Sequence, residues 1–153
     1  MNENKIAHLG FIQSVIERMA NNSAAIKGWS MGIVAAIIGL GIVGKGQMSD
    51  IANWIVFGCS CVIILVMWLL DSFYLYQEKL YRELYGLIKD KNDKDIDFSM
   101  DARRKTILQQ KGKAPCYFAV IKNRTIMPFY LPQLIVSFAF FVLPMIIELI
   151  SNQ

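Results

Sequence analysis

The sequence has little charge and almost no histidine. Only 18% of its 153 residues are charged and 55% are hydrophobic, whereas an average soluble domain carries about 25% charge. His8 is the only histidine, which leaves no histidine cluster for metal or triad chemistry. The three cysteines, Cys59, Cys61 and Cys116, form no CxxC pair, and a Cys-x-Cys spacing puts two thiols on different faces of a helix. We therefore expect packing roles for these cysteines.

The sequence motifs of common enzymes are also missing. It contains no P-loop, no GxSxG and no HExxH pattern, so the usual phosphate, acyl-transfer and zinc-protease sites are excluded. The carboxylates fall mainly in a polar stretch where a paired acid–base geometry is not expected. We expect no catalytic residues, no cofactor, no metal site and no enzymatic activity.

Three long apolar runs dominate what is present. Residues 28–44 (GWSMGIVAAIIGLGIVG), 51–70 (IANWIVFGCSCVIILVMWLL) and 129–147 (FYLPQLIVSFAFFVLPMII) contain no formal charge. About 20 apolar residues span the hydrocarbon core of a bilayer, with a lower limit near 17. Three such runs leave too little amphipathic chain to enclose them in a water-soluble shell. The sequence therefore predicts an all-α membrane protein with three transmembrane helices.

The predicted organisation has four segments. In residues 1–27, apolar side chains recur at three- and four-residue steps from Ile6, Leu9 and Ile12 onwards. This stripe predicts an N-terminal amphipathic helix that leads directly into the first span. Residues 28–90 form a transmembrane hairpin whose second helix continues as a long cytoplasmic extension. Residues 91–128 form a polar cytoplasmic loop with a short helix. Residues 129–150 form the third transmembrane helix.

Capping residues and prolines refine the last two segments. Asp97 or Ser99 is a candidate N-cap for a short helix that begins near Met100. Pro132 and Pro144 lie inside the third apolar run, where each removes a backbone donor, so that span is predicted to be bent or closely packed.

Glycines in the first span predict close helix packing. Gly32, Gly39 and Gly41 give this run a surface of small residues, and small residues let membrane helices approach closely. The alternative interpretation is that glycine is simply common in membrane helices.

The distribution of basic residues predicts an orientation. All but one of the 16 Lys and Arg residues precede the first span or lie between the second and third spans, and only Lys45 lies in the short link of the hairpin. The positive-inside rule makes the basic side cytoplasmic. The N-terminus and residues 71–128 are then inside, and the C-terminus is outside. Topology and anionic lipid explain the net charge of +4, so no contact with nucleic acid is needed.

Asp71 is the most informative single charge. It follows twenty uncharged residues at the membrane boundary, where a carboxylate without a partner is costly. Basic and hydrogen-bonding partners are expected from the end of the first segment, and an i, i+4 ion pair is expected on the helical extension. The predicted polar network comprises Arg18, Asn22, Ser23, Lys27, Asp71, Glu78 and Arg82. Two interpretations stay open: a static ion pair that fixes helix packing, or a polar lining of an ion path or trigger site.

A basic cluster follows in the polar loop. Arg103, Arg104 and Lys105 are consecutive. They form either a solvated surface or a contact with anionic lipid, RNA or a protein partner.

Two stretches carry a family resemblance. The segments HLGFIQSVIERMANNSAAIKGWS (residues 8–30) and WLLDSFYLYQEKLYRELYGLIKDKNDKDIDFSMD (residues 68–101) contain its most specific patterns, Arg-Met-Ala-x-Asn-Ser…Lys-Gly-Trp and Asp-x-x-Tyr-Leu-x-x-Glu-x-Leu-x-Arg-x-Leu-Tyr. Over residues 5–101 the chain resembles small bacterial membrane proteins of antiviral-defence loci. These include the accessory membrane proteins of type VI-B CRISPR loci and RADAR loci, and the SLATT group of effector domains.

The resemblance implies a bacterial inner-membrane protein of phage defence. It implies a homo-oligomer that forms a pore or disturbs the bilayer when a cytosolic defence protein senses infection. The alternatives are a membrane anchor that recruits a cytosolic defence complex without conducting ions, and a holin-like protein that is lethal without any partner.

Overall fold

Helices account for the secondary structure of the protein. The computed structural model describes residues 3–44, 49–93 and 97–151. Within these ranges there is no strand, and the helices are α1 (Glu3–Val43), α2 (Asp50–Asp90), α3 (Arg104–Lys111), α4 (Tyr117–Ile121), α5 (Met127–Phe141) and α6 (Leu143–Ser151). The prediction of an all-helical protein is confirmed.

The two longest helices each join a predicted apolar run to a predicted polar helix. Both α1 and α2 have 41 residues, which corresponds to about 60 Å. The chain contains no proline before Pro115, so nothing removes a backbone donor or forces a kink along either helix. The predicted continuity of the first segment into the first span is confirmed, as is the extension of the second span through Gly86 to Asp90.

The described residues belong to two compact units. The polar unit comprises Met1–Ala24 and Asp71–Lys122, and the apolar unit comprises Ala25–Leu70 and Asn123–Gln153. Helices α1 and α2 each contribute residues to both units. The division of α2 coincides with the end of its uncharged run at Leu70.

A small aliphatic core holds the polar unit together. Its α1 members recur at three- and four-residue steps and its α2 members at four-residue steps, so each set lies on one face of its helix. The loop and α3 cover the pair with two further side chains. The buried members are Leu9, Ile12, Ile16, Leu80, Leu84, Ile88, Ala102 and Ile107. Burial of each large aliphatic side chain contributes about 1.5–3 kcal/mol.

The inner face of α1 differs from the predicted apolar stripe near its start. Ile6 is 52% exposed, whereas Lys5 and His8 are buried. The Lys5 ammonium donates to the Lys91 carbonyl at 2.6 Å, and Nε2 of His8 lies 3.1 Å from the Ser99 carbonyl oxygen. Polar side chains therefore turn inward because the loop offers them backbone acceptors.

A series of side-chain turns precedes α3. The carboxylate of Asp97 accepts from the Ser99 N–H at 3.2 Å, the Ser99 hydroxyl accepts from the Asp101 N–H at 3.4 Å, and Asp101 accepts from the Arg103 N–H at 3.1 Å. Such local bonds compete with helix formation. The predicted start near Met100 is therefore wrong, and the helix begins at Arg104.

The third apolar run is divided between two helices. The predicted continuous span over residues 129–150 is interrupted at Val142, between α5 with 15 residues and α6 with 9. Pro144 lies near the start of α6, where its missing N–H costs nothing and its fixed φ suits a first helical turn. Pro132 lies inside α5 without ending it. Helix α5 alone reaches about 22 Å, less than the hydrocarbon core of about 30 Å.

Helices α1 and α2 are long and apolar enough to cross a membrane by length and composition. Only 17% and 22% of the residues in their most apolar stretches are buried, whereas a core helix of a soluble protein is mostly buried. Large apolar side chains lie on the surface instead, including Trp29, Leu40, Val43, Ile51, Ile55 and Val62. Membrane association through two helices is therefore the conclusion that length and exposure support.

Only one of the three predicted packing glycines is in contact. A Cβ added to Gly41 would lie 2.9 Å from Cε1 of Phe140 and 3.2 Å from Cε1 of Phe141. Close approach of α5 to α1 therefore requires glycine there. At Gly32 and Gly39 an added Cβ meets no atom of the described structure within 4 Å, so the expected packing is absent from these two positions.

The docking of α3 is predicted to depend on Ile107. This side chain is fully buried, whereas its neighbour Leu108 is 43% exposed. We expect Ile107→Ala to weaken docking by about 2–5 kcal/mol, and Leu108→Ala to change it by less than about 0.5 kcal/mol. Limited trypsin digestion of membranes measures the docking of α3 as a rate of cleavage, because docking protects the peptide bonds after Arg103, Arg104 and Lys105. Equal cleavage rates in the two variants would contradict the prediction.

Candidate functional site

The carboxyl group of Asp71 is the central feature of the candidate site. Asp71 is 0% exposed although it directly follows the uncharged run of α2. Its Oδ1 accepts a hydrogen bond from the Ser23 hydroxyl of α1, and Ser72 beside it is also 0% exposed. A buried carboxyl group is costly unless hydrogen bonds or charges compensate it. The contact therefore couples α1 to α2 within the polar unit.

The structure selects among the predicted partners of Asp71. Ser23 lies on the inner face of α1 and forms the predicted hydrogen bond. Arg18 is exposed and forms no ion pair with any other described residue. It is five residues from Ser23, about 140° around the helix, so its assignment as the ionic partner is wrong. Asn22 is half-buried. Lys27, also half-buried, belongs to the apolar unit, and its pairing with Asp71 stays a prediction.

Glu78 and Arg82 form the predicted i, i+4 pair on α2. Nε and Nη2 of Arg82 lie 2.8 and 2.7 Å from Oε1 of Glu78. The Glu78 side chain is 11% exposed and that of Arg82 is 61% exposed. The guanidinium group therefore reaches water while it compensates a carboxylate that is nearly buried.

Hydrogen bonds between polar side chains hold α5 within the apolar unit. The Ser30 hydroxyl of α1 donates to Oε1 of Gln133 at 2.7 Å. The hydroxyls of Ser60 on α2 and Ser137 on α5 lie 2.6 Å apart. Ser30, Ser60 and Ser137 are at most 1% exposed. In an apolar environment such groups need partners, and these bonds fix the rotation of α5 against both long helices.

The basic cluster is only partly free to bind a partner. Arg103 makes a bidentate ion pair with Asp101, with Nε and Nη2 at 2.8 and 2.7 Å from the two carboxylate oxygens. Hydrogen bonds from Arg103 hold the pKa of Asp101 well below its usual range and raise the pKa of Arg103. Nε of Arg104 donates to the Pro115 carbonyl at 3.2 Å. Lys105 is exposed and has no partner among the described residues.

His8 anchors the loop against α1. Its ring is 0% exposed and lies 5.3 Å from the Phe98 ring, measured between centroids. The Ser99 carbonyl contact assigns a hydrogen to Nε2, since a carbonyl only accepts. His8 therefore holds the loop through one hydrogen bond and one ring contact.

No metal-binding cluster of three or more His, Cys, Asp or Glu side chains occurs in the described part of the chain. Cys59, Cys61 and Cys116 are free thiols.

Sequence reasoning missed the four polar side chains that hold α5. Ser30, Ser60, Gln133 and Ser137 are scattered in apolar runs, and their pairing depends on helix rotation. Their presence within such runs was a usable signal, because a polar group in an apolar helix needs a partner. Comparison of the chain with protein-family models, with curated proteins and with solved structures found no match.

The bond between Ser23 and Asp71 is predicted to stabilise the polar unit. Removal of a donor that leaves a buried hydrogen-bond acceptor unsatisfied costs about 1–3 kcal/mol. We expect Ser23→Ala to lower the free energy of unfolding by that amount, and by much less when Asp71→Ala is already present. Denaturant unfolding in detergent micelles measures this cycle.

Ser14→Ala is the matched control for this cycle. Ser14 lies on the same helix, is exposed, and its hydroxyl donates at 2.8 Å to the Phe11 carbonyl of its own helix. Its replacement is expected to leave the stability within about 0.5 kcal/mol. An equal effect of Ser23→Ala with and without Asp71 would contradict the coupling.

Proposed function

We propose that this protein is an inner-membrane effector of a bacterial antiphage defence system. In this proposal it assembles as a homo-oligomer and permeabilises the bilayer when a cytosolic partner senses infection. The observation that carries the membrane part is the exposed apolar surface of α1 and α2. The defence context comes from the resemblance of residues 5–101.

The proposed topology has three crossings. The first two are the apolar parts of α1 and α2, and the third combines α5 and α6, which together cover residues 127–151. The hydrogen bonds from Ser30 and Ser60 to α5 support a third apolar element beside the first two. In the proposal the polar unit lies in the cytoplasm, which its basic residues support through the positive-inside rule, and the bilayer boundary lies near Asp71.

An exposed surface of small residues supports the oligomer. Gly28, Gly32, Ala35 and Gly39 lie within about 60° around α1, and all four are exposed. A Cβ added to any of the three glycines meets no described atom within 4 Å. Small residues permit close contact between helices in lipid. A second copy of α1 fits this surface better than a partner with large side chains.

The buried carboxyl group supports a role in transmitting the trigger. Asp71 lies where the proposed bilayer boundary meets the polar unit, and it is hydrogen-bonded to the helix that carries the small-residue surface. A displacement of α1 against α2 would break this bond inside a site that excludes water. In the proposal, contact of the partner with the polar unit shifts this pair and thereby changes the oligomer.

The second candidate function is a membrane anchor for a cytosolic defence complex. The exposed side chain of Lys105, beside Arg104, favours it, since both present charge on the first turn of α3, which docks on the core of the polar unit through Ile107. An anchor requires recruitment through this surface and no ion flux.

The two functions predict different behaviour of Asp71→Ala during infection. For an effector, we expect this variant to reduce phage protection at least tenfold and to abolish the loss of membrane potential, because the coupling between α1 and α2 is removed. A voltage-sensitive dye and phage titres measure both in cells that carry the intact defence locus. Ser14→Ala is the control and is expected to behave as wild type.

An anchor would produce the opposite pattern. Protection would then occur without depolarisation in the wild-type protein, and Arg104→Gln with Lys105→Gln would abolish capture of the partner. Wild-type protection and depolarisation in the Asp71→Ala variant would contradict the assigned role of the carboxyl group.

A further inference from the structure

A basic groove lies on the polar unit between α2 and the segment that follows α3. Its volume is about 330 Å³, and it is lined by Lys79, Arg82, Glu83, Lys113, Ala114 and Pro115. This volume is at the lower end of the range for small-molecule sites. We propose that this groove binds a phosphate-bearing anion.

The far side of the groove is held in place by several contacts. Gly112 ends α3 with φ of +69°, and its N–H donates to the Leu108 carbonyl at 2.9 Å. This left-handed cap turns the chain back towards α2. The Lys111 ammonium forms an ion pair with Glu83 of α2, and Nε of Arg104 donates to the Pro115 carbonyl at 3.2 Å. Both ends of the 113–115 segment are therefore tied before any ligand binds, which reduces the entropic cost of binding.

The charges in and around the groove leave a positive excess. Glu83 is compensated by Lys111, and Glu78 is compensated by Arg82. Lys79 and Lys113 form no ion pair with any residue that the structure describes. Two ammonium groups, one on each side of the groove, thus have no counter-ion, and they are the groups that an anion would recruit.

Phosphate matches these donors better than a carboxylate does. Arg82 contacts Glu78 through Nε and Nη2, so its Nη1 group stays available to a ligand. A phosphate group offers three strong acceptor oxygens and a charge between −1.5 and −2 at neutral pH. Lys79 and Arg82 on one side and Lys113 on the other can each contact a different oxygen, whereas a carboxylate offers only two.

A dissolved phosphate compound fits the groove better than a lipid headgroup. Lys79 and Arg82 lie eight and eleven residues beyond Asp71 on the same helix, about 12 and 17 Å along its axis. The headgroup layer is only about 5–8 Å thick on each side of the hydrocarbon core. If the bilayer boundary lies near Asp71, as proposed above, the groove lies beyond the headgroups. Only this choice between the two sources depends on the proposed topology.

Calorimetric titration of the full-length protein with inorganic pyrophosphate tests the groove. The protein is placed in nanodiscs of uncharged phosphatidylcholine, and we expect saturable binding that weakens with added salt. The variant Lys79→Gln with Lys113→Gln is expected to bind at least tenfold more weakly. Its control, Lys105→Gln with Lys122→Gln, removes the same charge from exposed positions outside the groove and is expected to bind within twofold of wild type. Circular dichroism of each variant verifies that the helices are retained.

The remaining outcomes separate the alternatives. Absence of pyrophosphate binding, or an equal loss in the two double variants, would overturn the proposal in favour of a merely solvated basic surface. Nanodiscs that contain phosphatidylglycerol form a second arm. Loss of pyrophosphate binding by the wild-type protein in these discs would assign the groove to lipid headgroups and overturn the assignment to a dissolved anion. None of these results depends on phage protection, so they are distinguishable from a failure of the defence role.

Discussion

Apolar side chains on the outside of α1 and α2 impose the constraint on which the rest of the structure depends. Trp29, Leu40, Val43 and Ile51 are between 67% and 82% exposed, and apolar area in water costs about 25 cal/mol per Å². A solvent other than water, or another copy of the chain, has to cover it. A bilayer meets that requirement along the whole length of both apolar runs.

The same constraint explains how the polar groups are arranged. In the apolar unit, serine hydroxyls pair with α5, as Ser60 does with Ser137. In the polar unit, the buried carboxyl group of Asp71 binds Ser23, and the nearly buried Glu78 is compensated by Arg82. Local pairing therefore replaces hydration for each of these groups. The ammonium groups of the exposed lysines lie on the surface, where water or a ligand can contact them.

Sequence patterns predicted the parts of the fold that depend on local chemistry. The uncharged run, followed by a stretch without glycine or proline before Gly86, predicted the continuous α2, and the i, i+4 spacing predicted the pair of Glu78 and Arg82. The rotation of α1 about its axis was harder to predict from the sequence, because it depends on which backbone acceptors the loop offers. Ile6 was expected on the inner face, and Lys5 is buried instead. Arg18 was expected among the partners of Asp71, but its side chain is exposed.

Two further differences have equally specific causes. The prolines predicted a bent third span but not the position of the interruption at Val142, since hydropathy continues unchanged across Pro144. The contact of Gln133 with Ser30 depends on the distance between α5 and α1, which are far apart in sequence. The amino-acid sequence does not show that distance directly. The polar residues near Asp71 were thus predictable, and so was the pair of Glu78 and Arg82, whereas the pairs that hold α5 were not.

The native cysteines allow the most direct measurement of the central claim that lipid surrounds the apolar runs. Cys59 and Cys116 are both exposed, but Cys59 lies within the uncharged run of α2 and Cys116 in the polar unit. Maleimides react with the thiolate, which requires water. Single-cysteine variants in native membrane fragments are labelled with a membrane-impermeant maleimide. The account predicts rapid labelling at Cys116 and none at Cys59 until denaturing detergent is added, and equally rapid labelling at both positions would contradict it.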